Sequence, residues 1–394
     1  MAHLPARRVS TFGTSIFAEI TELAAQVKAI NLGQGYPDFD GPEVVKAAAM
    51  AAIAAGDNQY AFSSGQPALK RAIVEHSQRF YGQSWEPDSE VTITSGASEA
   101  LFSSIIGLVN PGDEVIVFEP YYDSYVPDIL MAGGVPRYVA LRAPATGTPE
   151  WTFDPDELRS AFNERTRLVF LNTPHNPTGK VFNQAELAQI AELCVEWDVL
   201  ALSDEVYEHL VYDGGKHQRL AQQPGMAERT VTVNSLGKTF SFTGWKIGWT
   251  LAPRDLTAAV RAAHQFVTFA TSTPMQAAAV TALALDDEYY ETLARDYQTR
   301  RDYLVGGLQK AGLRVTNPQG TYFILADFTP LKLPGVTDDV SFCRWLIREA
   351  GVAAIPPTAF YSQEHKPLGQ SWARFAFCKR RETLEAAVER LARL

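Results

Sequence analysis

The stretch TVTVNSLGKTFSFTGWKIGW at 230–249 opens as a strand, breaks into a loop of small residues, and holds Lys238 in that loop. Its first five residues, TVTVN (230–234), read as a buried strand whose C-terminal end runs directly into polar residues. Working outward, VLALS (199–203) and RLVFLN (167–172) have the same form. Helical patterns lie between such runs from about residue 43 to residue 285. EVVKAAAMAAIAAG (43–56) and PALKRAIVEHSQRF (67–80) come first, then the strand VTIT (91–94), a helix from about Ala97 to Val109, and a turn and strand in NPGDEVIVFEP (110–120). The alternation predicts βαβ units in a mostly parallel α/β sheet, where ligands bind at the C-terminal edge of the strands.

Beyond about residue 285 the pattern changes. A long polar helix runs through DDEYYETLARDYQTRRDYLVGGLQKAG (286–312), and a smaller α+β unit follows. Its expected pieces are the strand TYFILAD (321–327), a helix near 339–350, the strands GVAAIP (351–356) and WARFAF (372–377), and a final helix near 382–393. A chain of 394 residues exceeds what one core usually organises. A large domain over 45–280 is therefore expected, with a small domain built from 1–44 and 281–394. GGVPRYVALRAPATGTPEW (133–151) and TPLKLPGVTDD (329–339) read as surface loops.

Composition excludes several classes. With 46% hydrophobic and 20% charged residues the chain is neither disordered nor fibrous, and a formal charge of −10 argues against a general nucleic-acid binder. Cys194, Cys343 and Cys378 lie far apart with no C-x-x-C, so they read as buried thiols in a reducing compartment. The start, MAHLPARRVSTFGTSIFAEI, has no continuous apolar core of a signal peptide, and the expected location is the cytoplasm. The seven histidines form no H-E-x-x-H pair, and His175 and His209 read as core residues or supports behind the site, so no metal is expected.

Lys238 stands between a buried-looking strand and an aromatic, Gly-punctuated run. Burial there would lower its pKa and free the amine to attack an aldehyde. Spacing alone leaves that reading and an ordinary surface lysine both open. The segment resembles the lysine signature of the class I aminotransferases of pyridoxal 5'-phosphate (PLP) fold type I, with Ser235, Lys238 and Lys246 at the matched positions. Similar matches follow in family order: GQGYPDF (33–39), NQYAFSSGQPALKRAI (58–73), TSGASEAL (94–101), EPYYDSY (119–125), NTPHNPTG (172–179), SDEVYEHL (203–210) and RFAF (374–377). They cover nearly the whole chain. The resemblance is nearest to the branch holding kynurenine, glutamine and methionine aminotransferases and N-succinyldiaminopimelate aminotransferases.

The resemblance implies a PLP-dependent aminotransferase that carries the cofactor as a Schiff base on Lys238 and moves an α-amino group from an L-amino acid to a 2-oxo acid by a ping-pong route. Asp204 would be the counter-charge to the protonated ring nitrogen, although a lone Asp there could equally cap the segment that follows. Tyr207 and Asn176 would hydrogen-bond the phenolic oxygen, and Tyr122 would stack on the ring. The phosphate would rest on Gly96, Ala97 and Ser98 at a helix start, with Ser235 and Lys246. Arg374 would hold the substrate α-carboxylate in its planar fork, and Gly35 would bring backbone close to the substrate. Tyr60 would reach the phosphate of the partner's cofactor in a homodimer with shared sites.

Departures from the family pattern narrow the substrate. Ile16 or Phe17 stands where kynurenine-type members often carry a tryptophan, and no second arginine for a distal carboxylate is evident. Phe269 aligns loosely with an aromatic that reaches the neighbouring site. A PLP-dependent carbon–sulfur β-lyase remains open on the same motifs. A non-catalytic PLP-binding regulator is expected to fit less well, because no helix-turn-helix extension fits before residue 30 and the acidic balance offers no basic stripe.

Overall fold

Runs that are apolar on both faces need cover on both faces, and the centre of the chain meets that need with a sheet between helices. The computed structural model describes residues 5–10, 12–13, 16–144 and 150–394. Its strands in chain order are β1 (Ile30–Asn31), β2 (Val91–Ser95), β3 (Glu114–Glu119), β4 (Val135–Ala140), β5 (Thr166–Asn172) and β6 (Leu200–Asp204). Then come β7 (Thr230–Ser235), β8 (Ile247–Leu251), β9 (Arg314–Val315), β10 (Phe323–Asp327), β11 (Val352–Ala353) and β12 (Trp372–Ala376). Seven of them form one sheet in the order β2-β8-β7-β6-β5-β3-β4. Only β8 runs against its neighbours, β2 and β7.

The two-residue period of a strand explains the layers. In β3, Val115 and Val117 pack with Leu101 and Ile105 of the helix Gly96–Leu108. Ile116 and Phe118 point the other way, onto Leu187 and Ile190 of the helix Gln184–Glu196. In β5, Leu168 and Phe170 join the first cluster while Val169 and Leu171 join the second. Each such side chain buried contributes about 1.5–3 kcal/mol, so a register slip of one residue is strongly disfavoured.

A further core gathers the two ends of the chain, and Val206, Tyr207, Leu210 and Tyr212 of the central part pack into it. Ile20 and Ala24 of the helix Ile16–Gln26, together with Leu32, pack against Tyr297 and Leu304 of the helix Asp287–Lys310 and against Phe342, Leu346 and Phe375. There β10 pairs with β12 and β9 in an antiparallel sheet, and β1 runs parallel to β11. Among the described residues no helix is long and apolar enough to cross a membrane.

Two sequence expectations change. The stretch 133–151 is not wholly loop: β4 lies within it, pairing in parallel with β3 at the edge of the sheet. Val135 and Arg137 on its open side are more exposed than the residues that follow, and that half-polar pattern hid the strand. Residues 145–149 of the same stretch lie outside the described residues. The expected strand over 351–356 shrinks to Val352–Ala353 plus a single bridge from Ile355 to Arg374.

Candidate active site

Because β2 runs antiparallel to β8, and β8 to β7, the C-terminal ends of β2, β3, β5, β6 and β7 share one edge. A cavity of about 360 Å³ opens there. Its lining brings together Gly35, Gly96, Ala97, Ser98, Tyr122, Asn176, Asp204, Tyr207, Ser235, Lys238, Lys246 and Arg374.

One end is built for an anion. β2 gives way to the helix Gly96–Leu108, whose first amides have no partner earlier in the helix. Gly96 sits at φ +73°, and a Cβ there would come within 3.1 Å of Lys246 Nζ. A Cβ on Gly248 would lie 2.6 Å from the Ala97 nitrogen, so β8 can flank the helix start only as glycine. Lys246 directs its Nζ to Ser98 Oγ at 3.2 Å, and Ser235 closes β7 beside it. A helix N-terminus, two hydroxyls and an ammonium make a seat for a dianion.

Lys238 lies in the short helix Leu236–Thr239 that follows β7. Burial pulls its pKa down to about 8; Lys246 and Arg374 push the same way, and Asp204 and Cys378 oppose them. The amine is thus far closer to its neutral, nucleophilic form than a solvated lysine. Asp204 ends β6, only 4% exposed, and burial raises it to about 6 against the hydroxyl of Tyr125, which donates to it at 2.7 Å. The Val206 amide also donates to Asp204, at 3.3 Å, as in a local turn. Asn172 fixes the neighbouring backbone, donating to the Asp204 carbonyl at 2.9 Å and accepting from the Asn176 amide at 2.7 Å. Tyr207 is buried with its phenol pKa pushed up by desolvation, and Tyr122 is raised to about 12 by the same cause.

Arg374 occupies the opposite wall. It is 2% exposed, and burial lowers its pKa to about 10. Nη1 donates to Asn176 Oδ1 at 3.0 Å and Nη2 to the Gly33 carbonyl at 3.2 Å, while the buried Nε has no acceptor. The plane rests on Phe323 at 4.2 Å, with Phe360 and Phe17 at 5.0 and 5.1 Å. A buried cation with an unused donor fits a carboxylate guest. Gly35 is tighter than the sequence suggests: a Cβ would meet Phe323 Cζ at 2.6 Å. The residues present therefore fit PLP, with an anion seat, a carboxylate for a ring cation and an amine for an aldehyde.

Tyr60 stands apart. It does not line this cavity but a second hollow; it is 85% exposed and meets Phe269 edge-on at 5.5 Å. His175 is buried and hydrogen-bonded to Thr178. His76, Glu208 and His209 lie close enough to hold an ion, yet the two histidines bond each other at 2.9 Å and Arg219 already neutralises Glu208 at 2.8 Å. Sequence reading missed Tyr125, Asp123, Asn172 and Phe323 in the lining. Tyr125 follows Tyr122 at helical spacing, a signal that was present; the other three had none beyond their motifs.

The family described as Aminotransferase class I and II matches residues 27–391. The chain is 40% identical over 418 residues to a kynurenine–oxoglutarate transaminase of Dictyostelium discoideum, covering 99% of this chain and 96% of that one. The structure of an N-succinyldiaminopimelate aminotransferase from Mycobacterium tuberculosis superposes with a TM-score of 0.94 at 43% identity, covering 98% of this chain and 99% of that one. A methionine aminotransferase from Escherichia coli superposes with a TM-score of 0.94 at 41% identity over the whole of both chains.

Proposed function

We propose, for a chain that belongs to the class I and II aminotransferases, that its amino donors carry uncharged side chains and that the residues of the cavity divide the work as follows. The chain is a PLP-dependent aminotransferase of fold type I, moving an α-amino group from an amino acid to a 2-oxo acid by a ping-pong route. When bound, PLP supplies an aldehyde for the amine and a ring that withdraws electrons from the α-carbon. Lys238 would be the amine that links to it and, when free, the base that would carry the proton between the α-carbon and the cofactor. Asp204 holds the ring cation, Tyr207 and Asn176 hold the phenolic oxygen, and Tyr122 covers the ring. Gly96, Ala97, Ser98, Ser235 and Lys246 grip the phosphate. Arg374 orients the α-carboxylate, and Phe323 and Phe17 exclude water around it.

The observation that carries this reading is the unpartnered Nε of buried Arg374 in the same cavity as the low-pKa amine of Lys238. Among the described residues Arg374 is the one arginine lining the cavity, and Asp123 lines it too, which together disfavour a donor with a distal carboxylate. Mixing the holoenzyme with methionine, glutamine, kynurenine, N-succinyldiaminopimelate and aspartate in single half-reactions, followed by cofactor absorbance, tests this. One of the first three should react fastest; a preference for either of the last two overturns it.

The two-lobed division at 45–280, with 1–44 and 281–394 together, is supported by a core drawn mainly from the two chain ends. The three unpaired buried cysteines support a cytoplasmic setting. A homodimer with shared sites is supported by Tyr60, Phe62 and Phe266, exposed at 85%, 66% and 86%, an apolar display that a lone chain would rarely keep. Mixed dimers of Tyr60→Phe subunits with inactive Lys238→Ala subunits, isolated at limiting PLP, give the test. If Tyr60 serves the partner's phosphate, one site joins an intact Lys238 to an intact Tyr60 and keeps wild-type affinity and turnover. Mixed dimers with no such site would place Tyr60 in its own subunit.

A further inference from the structure

Tyr322 precedes β10 and is fully buried. Its backbone is set by Thr321, which holds φ +63° while its carbonyl accepts from the Tyr212 hydroxyl and its amide donates to the Leu210 carbonyl at 2.9 Å. The Tyr322 ring meets Tyr207 edge-on at 5.1 Å and stacks on Tyr297 at 6.1 Å. So packed, the ring holds its hydroxyl in one place, beside the Tyr207 hydroxyl with which it also shares a hydrogen bond.

That hydroxyl lies 2.5 Å from the Gly35 carbonyl and 2.9 Å from Lys238 Nζ. A phenol has one proton, and a carbonyl can only accept. The proton therefore points at Gly35, the lone pairs of Oη face Lys238, and the amine must be the donor. Burial raises the phenol pKa well above its ordinary value, so Tyr322 stays neutral and is no base itself. The same strap of residues is tied at Gly33 to Arg374 and at Tyr36 to Lys379.

We propose that Tyr322 is a positioning residue of the reaction, its hydroxyl receiving the Lys238 amine whenever that amine is not covalently engaged and holding it against the strap of residues 33–36. This rests on Lys238 being the lysine that moves the proton. While it is not covalently engaged the amine hangs on four rotatable bonds, and one fixed acceptor restricts where it waits as it carries the proton. An acceptor also favours the amine's protonated form. Of the other groups facing Lys238, Asp204 and Cys378 raise its pKa, Lys246 and Arg374 lower it, and the Tyr207 ring lies 5.6 Å away.

The test uses the holoenzyme in its pyridoxamine form, labelled briefly with acetic anhydride between about pH 6 and pH 10, a range that brackets a lowered lysine pKa. The Lys238 peptide is then quantified by mass spectrometry. In Tyr322→Phe the labelling midpoint should fall by roughly half to one pH unit, and kcat by about ten- to thirtyfold, as loss of a charged hydrogen bond implies. KM should change by less than about threefold, because Arg374 and Asn176 are untouched. A variant with raised KM and lowered melting temperature but an unmoved midpoint has lost only structure, and the proposal fails. Should Tyr322→Phe not fold, 3-fluorotyrosine at position 322 keeps the shape and weakens the acceptor; it should move the midpoint in the same direction by less, and no movement overturns the proposal. Borohydride mapping of the cofactor to another lysine would instead overturn the reading of Lys238, which separates the two failures.

Discussion

Lys238→Ala abolishes turnover, by at least about 10⁴-fold, yet still binds PLP. The size follows from two losses at once: general acid–base work is worth about 10²–10⁴ by itself, and the nucleophile that links to the cofactor goes with it. Retained binding follows from the layout, because the anion seat at Gly96, Ala97, Ser98, Ser235 and Lys246 involves no atom of Lys238. Borohydride reduction should attach the cofactor covalently to wild type only, and at Lys238. Lys246 is the competitor eight positions on, and burial decides between them. Lys246 is exposed and reaches for Ser98, whereas the Lys238 amine is buried enough to sit at about pKa 8. As pH rises through about 8 the Lys238 amine loses its proton, so linkage and proton abstraction should both quicken over that window in wild type. Reduced cofactor found on Lys246 would sink the assignment.

Much of this was legible in the sequence, and the reason is physical. A strand buried on both faces leaves an apolar run that ends abruptly where the ligand edge begins, so Asp204, Ser235 and Lys238 could be placed at that edge from VLALS and TVTVN, while the resemblance alone gave them tasks. β8 was not legible: it is a short antiparallel insertion directly after the lysine loop, and its role is to press Gly248 against the start of the helix at Gly96. Tyr322 was also hidden, because nothing in TYFILAD distinguishes a core tyrosine from one whose hydroxyl touches Lys238. Contacts between residues 287 positions apart, such as Tyr322 with Gly35, depend on how the two ends of the chain fold onto one core. No local pattern encodes them. Arg374 lies between these cases, since WARFAF predicted a buried strand and the resemblance alone assigned its arginine a task.

Arg374→Lys should raise KM for every amino donor and every oxo acid alike, lowering kcat/KM by about 30- to 1,000-fold while the ranking of side chains is kept. The α-carboxylate is common to all these substrates, and a point charge cannot reproduce the two parallel bonds of a planar fork. One charge-assisted hydrogen bond is worth about 1.5–3 kcal/mol and about 1.4 kcal/mol is a factor of ten, which sets that range once the disturbance of Asn176 is added. Asn176 Oδ1 now accepts from Nη1 at 3.0 Å and would lose its donor, as would the Gly33 carbonyl at 3.2 Å. Burial adds a pH dependence. It disfavours the charged form of a base, and it brings the guanidinium down to about 10, where the group is still charged at neutral pH. A lysine starts lower, at about 10.4, and the same burial would bring it down further. The introduced side chain would then shed its charge at lower pH than the arginine does, so the defect should deepen as pH rises over a window of about pH 7 to pH 9. Steady-state kinetics with three donors and two oxo acids at both ends of that window measure the effect. A variant impaired toward one substrate only, with the others unchanged, would put Arg374 among the groups that read the side chain and not the carboxylate.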